Sequence, residues 1–258
     1  MLKGVAFPEV NFFLMILNPF IMAGNTEMSF GAKLRRAYDV LAVVQKLEVY
    51  QPPRPEEHIE NFTAFVKNLE TLNVSANNLG NQYKFAVDQR TEAFRSGNES
   101  MEKSLVQIRG AVEAQFGKKS TQMTIIAGII RKIRSTKLMK TPADPTKPSS
   151  EHAISDSQRS FGSSVQFYND LVTSLESFPE YVPSNEKIRI RTLRERFNNL
   201  HKLNDNVMST AQDLQVGVVD RKALFEELKN RVNRIKAYVK AQYGIKSEPY
   251  SILKKLRF

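Results

Sequence analysis

The feature that most constrains this chain is that it is written twice. Phe30-Gly31 recurs as Phe161-Gly162, and each pair opens an amphipathic segment that runs to a proline-containing turn, with Pro52, Pro53 and Pro55 in one case and Pro179 and Pro183 in the other. With an offset of 131, Ile59, Phe62, Val66, Leu69, Leu72 and Asn73 match Ile190, Leu193, Phe197, Leu200, Leu203 and Asn204. A four-residue shortening changes the offset to 127, and Met101, Leu105, Ile108 and Val112 then match Leu228, Val232, Ile235 and Val239. The same offset carries Ala114-Gln115-Phe116-Gly117 and Lys119-Ser120 onto Ala241-Gln242-Tyr243-Gly244 and Lys246-Ser247, and Ile125-Ile126 onto Ile252-Leu253. Agreement in type, order and spacing over so long a stretch is the mark of a structural unit used twice.

The repeated pattern has a helical period. Ile190, Leu193, Phe197, Leu200, Leu203 and Val207 step by three or four residues, which places them on one helical face. Alternating strand patterns are absent. The spacing predicts helices over roughly 29–47, 56–95, 99–116 and 121–134 in the first copy. In the second it predicts 158–178, 184–218, 220–243 and 248–256. Asn98-Glu99-Ser100 and Ser184-Asn185-Glu186 read as helix starts, and Gly117 and Gly244 as the glycines that end a helix. A bend is expected where Asn77-Asn78-Leu79-Gly80 weakens the long second helix. The expected fold is all-α, with two tandem homologous up-down helical bundles of about four helices each. Residues 28–135 form the first helical repeat, 136–158 a linker rich in Pro, Ser and Thr where a protease should cut, and 159–258 the second repeat.

Residues 1–27 lie outside the repeat. Val5 to Gly24 is markedly apolar, but Pro8, Glu9, Asn11, Asn18 and Pro19 interrupt it, so no transmembrane helix is expected there. Lys3, the run Phe12 to Met22 and Ala23-Gly24 supply the parts of a secretory signal imperfectly, with Ile21 large for its place and Glu9 badly positioned. The alternatives are a disordered leader or a start set too early, with translation from Met22 or Met28, and removal of 1–27 is expected to leave the fold intact. The expected location is the cytoplasm, or a secreted or periplasmic one if residues 1–23 act as a signal.

Chemistry is sparse. The chain has no Cys, which removes disulfides, thiolate nucleophiles and Cys-ligated metals. His58, His152 and His201 are scattered, and none has a Glu three residues before it, so the Glu-x-x-His ligand pair of a di-iron bundle is missing. Gly117-Lys118-Lys119-Ser120 imitates the end of a phosphate-binding P-loop. Val112 stands where that motif needs its first glycine and Lys119 where it needs Ser or Thr, and Gly244-Ile245-Lys246-Ser247 fails likewise. The structural reading suits both: the glycine ends one helix in a left-handed turn and the serine caps the next. No catalytic group, cofactor or metal ligand is expected.

Charge is the remaining signal. Lys and Arg number 38 against 27 Asp and Glu, a net of +11, and the excess lies in the repeats, +5 over 28–135 and +7 over 159–258. It gathers at the ends of the copies, and Lys118, Lys119, Ser120, Arg131, Lys132, Lys246, Ser247, Lys254 and Lys255 are the candidate anion-binding residues. Arg189, Arg191, Arg194 and Arg196 form a candidate basic face on one helix. Lysines and arginines near helix C-termini also complement the helix dipole, which is the plainer account. The expected function is therefore a non-enzymatic structural or interaction protein, with a protein partner or self-association. The alternative is sequence-independent binding of nucleic acid or an anionic surface through the basic helix ends.

Overall fold

The structure is a computed structural model that describes residues 29–135 and 150–258, with side chains described from 161 onward in the second stretch. It is helical throughout, and no strand occurs among the described residues. The first segment carries α1 (Phe30–Val44), α2 (Ile59–Thr91), α3 (Met101–Phe116) and α4 (Thr121–Ser135). The second carries α5 (Ser150–Glu176), α6 (Ile190–Tyr243) and α7 (Glu248–Lys255). Short 3-10 turns, Pro55–Glu57 and Glu186–Ile188, lead into α2 and α6. No helix among the described residues is long and apolar enough to cross a membrane.

Two expectations need correction. The helices predicted at 184–218 and 220–243 are one unbroken helix of 54 residues, because nothing at Val218, Val219 or Asp220 interrupts the backbone bonding. Helix α2 stays α-helical through Asn77 to Gly80, so the weakening expected there does not break it. Its irregularity lies further on, in a π-helical turn over Glu92–Ser96 that ends at Gly97. Residues 150–158, read as linker, already belong to α5, while 136–149 and the apolar run within 1–27 lie outside the described residues.

The compact units divide the chain differently from the sequence repeats. Of the described residues, one unit comprises 83–135 with 150–211 and the other 29–82 with 212–258. In the 83–211 unit, Met101, Leu105, Ile108 and Val112 of α3 share a core with Met123, Ile126 and Ile130 of α4, Leu171 and Leu175 of α5, and Leu193 and Leu200 of α6. In the other unit, Val40 and Val44 of α1 and Phe62, Val66 and Leu69 of α2 pack with Leu228, Val232, Ile235 and Val239 of α6 and Leu253 of α7. Each core is thus filled by the latter half of one segment and the first half of the other.

Burial follows the offsets. Phe62 and Leu69 are buried like Leu193 and Leu200, Ala76 like Val207, and Leu105, Ile108 and Val112 like Val232, Ile235 and Val239. Fully burying one such aliphatic side chain is worth about 1.5–3 kcal/mol, so these stripes dominate each unit's stability. The polar fixtures repeat as well. Tyr50 Oη donates to the Glu57 carbonyl at 3.0 Å, and Tyr181 Oη to the Ile188 carbonyl at 3.0 Å. Burial is the main cause that pushes both phenols well above their ordinary value. A phenol favoured in its neutral form loses stabilisation as pH rises above its unfolded value near 10. Replacing Tyr181 with Phe leaves the Ile188 carbonyl without this donor and should lower stability by about 1–2 kcal/mol in a denaturant titration.

Candidate functional site

The turns between α3 and α4 and between α6 and α7 are built alike. Gly117 has φ 85° and Gly244 φ 91°, the left-handed region that a Cβ disfavours. Ser120 Oγ accepts from the Met123 amide at 3.1 Å and donates to the Gly117 carbonyl at 2.9 Å. Ser247 Oγ accepts from the Tyr250 amide at 3.4 Å and donates to the Gly244 carbonyl at 2.8 Å. Both serines are therefore helix caps. Lys118, Lys119, Arg131, Lys246, Lys254 and Lys255 are exposed around these turns and helices, and Lys132 lies 5.9 Å from the Phe167 ring centroid.

The arginines of the candidate basic face, at and just before the start of α6, all have partners. Arg189 pairs with Glu186 at 2.9 Å, Arg191 with Glu195 at 3.6 Å, and Arg194 with Glu176 while also donating to Asn169 Oδ1 at 2.8 Å. Arg196 donates to the Lys187 carbonyl at 3.4 Å. His201 is exposed and pairs with Asp205 at 2.8 Å, and His58 bonds the Pro52 carbonyl at 3.0 Å. No group of three or more His, Asp or Glu able to hold a metal ion occurs among the described residues.

Sequence reasoning missed a pair of arginine clusters. Arg90 is only 4% exposed, and its guanidinium lies 4.1 Å from the centroid of Phe161, which Phe94 meets edge-on at 4.9 Å. In the other unit, Arg221 lies 4.4 Å from the Phe30 centroid, and Phe225 meets Phe30 at 4.7 Å. Arg90 Nη1 donates to Asn204 Oδ1 at 3.3 Å and Arg221 Nη1 to Asn77 Oδ1 at 3.0 Å, while both Nε atoms are buried without a hydrogen-bond partner. Burial pushes both guanidinium groups below their ordinary value. Each cluster ties the second helix of one segment to the first helix of the other. The signal was available, since the offset of 131 still relates Arg90 to Arg221 and Phe94 to Phe225.

That match confines the four extra residues of the first segment to 95–100, where the π turn and the break before α3 occur. At the same place lies a groove of about 690 Å³, lined by Gln89, Glu92, the loop from Gly97 to Ser100, and Thr192, Glu195, Arg196 and Asn199 of α6. A Cβ on Gly97 would sit 2.8 Å from the Glu92 carbonyl oxygen, so the bend requires glycine. π turns are often found at functional sites. Two of the carboxylates here are committed: Glu99 pairs with Lys187 at 2.7 Å, which holds it below its ordinary value, and Glu195 pairs with Arg191.

In the unit that contains α7, Glu57 is buried and accepts from Arg234 Nε at 2.6 Å, and Glu227 bonds both Arg231 and Arg234. Burial raises the Glu227 carboxyl, and the two arginines outweigh it to hold the group below its ordinary value. A depressed carboxylate stabilises the fold above its unfolded value and loses that contribution as pH falls through the folded one. The melting temperatures of the parent and of Glu227→Gln should therefore differ at neutral pH and converge on acidification below about pH 4.

Comparison of the chain with known protein families, with curated proteins and with solved structures finds no match.

Proposed function

We propose that this is a non-enzymatic interaction protein, built from an internal duplication of a helical unit, in which two homologous copies exchange halves to complete two bundles. The observation that carries this reading is the recurrence of its polar fixtures. Tyr50 and Tyr181, Ser120 and Ser247, and Arg90 and Arg221 do equivalent work at equivalent positions, and that work is capping, anchoring and packing. A side chain tied up in this way in both copies has no freedom to act as nucleophile or proton carrier. The loop at Gly97 that lines this groove has no counterpart in the unbroken α6, which supports the groove as the place where a partner docks.

A photoreactive residue placed at Asn98, and as a control at exposed Glu226 on the unbroken helix, tests the reading. Asn98 should yield an adduct of one defined mass in the native cell extract and Glu226 none. Identical adducts from both sites would remove the groove from consideration. A second reading, binding of an anionic surface, is favoured by the exposed lysines around both capped turns. It predicts binding to polyanions that weakens steeply as salt rises.

A further inference from the structure

Most exposed residues differ between the two copies, as expected where packing imposes nothing. Among positions exposed in both, Ala114 and Ala241, Gln115 and Gln242, Lys119 and Lys246, and Ile125 and Ile252 are identical. Elsewhere among the described residues, leaving aside the stretch 95–100 that holds the insertion, only Gly31 with Gly162 and Asn68 with Asn199 share that property. The retained surface is thus concentrated at one corner of each unit, the end of one helix, the capped turn and the start of the next. The isoleucines are the telling members. Ile125 and Ile252 are each 42% exposed, and Ile245 in the second turn is 62% exposed. Beside them stand Lys118 and Lys119 at one corner and Lys246, Lys254 and Lys255 at the other, none of which forms an ion pair among the described residues.

We propose that these two corners dock the protein on an anionic lipid surface, the lysines meeting the headgroups and Ile125, Ile245 and Ile252 entering the headgroup–acyl boundary. This rests on the anionic-surface reading above and names its partner. Charge complementarity alone would admit nucleic acid, and the isoleucines decide between the two. An aliphatic side chain gains from burial at a lipid interface and gains nothing against phosphodiester oxygens. Base stacking would need free aromatic faces, but Phe116 packs on Phe178 at 5.8 Å, and Tyr243 is half-buried and donates its hydroxyl to the Val49 carbonyl at 2.5 Å.

The test uses the full chain and co-sedimentation with phosphatidylcholine vesicles, with and without phosphatidylglycerol, over a salt series, beside duplex DNA and single-stranded RNA. Binding should require the anionic lipid and weaken with salt. Lys119→Gln and Lys246→Gln should each lower partitioning about fivefold, the effect of one basic residue near such a surface. The pair Ile125→Ser and Ile252→Ser should lower it at least about threefold, by the loss of partly exposed apolar surface that the membrane would bury. Lys67→Gln with Lys202→Gln, at exposed sites away from the corners, should change nothing. All these positions are exposed in the fold, so melting curves should stay within the small range usual for surface substitutions. If neither vesicles nor nucleic acids bind at low salt, this inference and the anionic-surface reading fall together. Tighter binding to DNA or RNA that ignores the isoleucine changes would overturn the lipid assignment and leave the anionic-surface reading standing. An equal loss from the control lysines would show that the corners have no special part.

Discussion

Cutting the chain between residues 136 and 149 should leave two fragments that stay together, and neither should fold alone as a monomer. Each core is assembled from both sides of the cut. The first fragment keeps Val40, Phe62, Val66 and Leu69 but loses Leu228, Val232, Ile235 and Val239, which fill the space against them. It also keeps Met101, Leu105 and Ile108 while losing Leu171, Leu175, Leu193 and Leu200. At about 1.5–3 kcal/mol for each buried aliphatic side chain, losing these four partners from each core removes as much as the ~5–15 kcal/mol that holds a typical domain together. The nicked protein should elute as one species and melt in a cooperative transition, and mixing the separated fragments should restore that transition. An isolated fragment should be unfolded or should pair with a second copy of itself, because equivalent positions carry equivalent side chains. A folded monomeric fragment with its own cooperative melt would show that each segment closes its own bundle in solution.

The apolar stripes were legible in the residues, and the partner of each stripe was not. Hydrophobic burial has no direction, so Leu193, Leu200 and Val207 announce a buried face without saying which helix covers it. The deciding detail is the continuity of α6 past Val218 and Val219. An unbroken helix cannot fold its halves against each other, so Leu193 and Val232 must find their cores in different units. The capped turns were legible because their chemistry is local. Gly117 and Ser120 need only the few residues between them to satisfy φ and the free amides of the next helix. Arg90 and Arg221 sit between these extremes. The partners that define their clusters are the phenylalanines Phe161 and Phe30, 71 and 191 residues away along the chain, and only the internal alignment links the two sets. The basic face at Arg189, Arg191 and Arg194 was visible as charge, whereas the carboxylate Glu176 that meets Arg194 comes from another helix.

The internal alignment also supplies an experiment, which asks whether the two units solve one packing problem differently. Glu57 with Arg234 in one unit corresponds, by the two offsets, to Ile188 with Gln107 in the other. Glu57 is 2% exposed and bonded to Arg234, while Ile188 is 3% exposed and simply packs. Removing one member of a buried ion pair typically costs ~3–5 kcal/mol, because the other charge is left without its partner. Arg234 keeps Glu227 at 3.2 Å and is 33% exposed at its side chain, so Glu57→Ile should cost less, about 2–3 kcal/mol. For a protein of this size that is a fall in melting temperature of roughly 5–10 °C. Adding Arg234→Gln transplants the solution of the other unit, removing the stranded charge while the isoleucine fills the site. Buried ion pairs are often matched by well-packed apolar groups, so the double variant should recover to within about 1 kcal/mol of the parent. The coupling between the two changes, read from a double-mutant cycle in urea, should then exceed about 2 kcal/mol in favour of the matched pairs, because Arg234→Gln alone also leaves the buried Glu57 without its partner. A double variant as unstable as Glu57→Ile alone would mean that the two sites are not equivalent and that the alignment fails at this point in the fold.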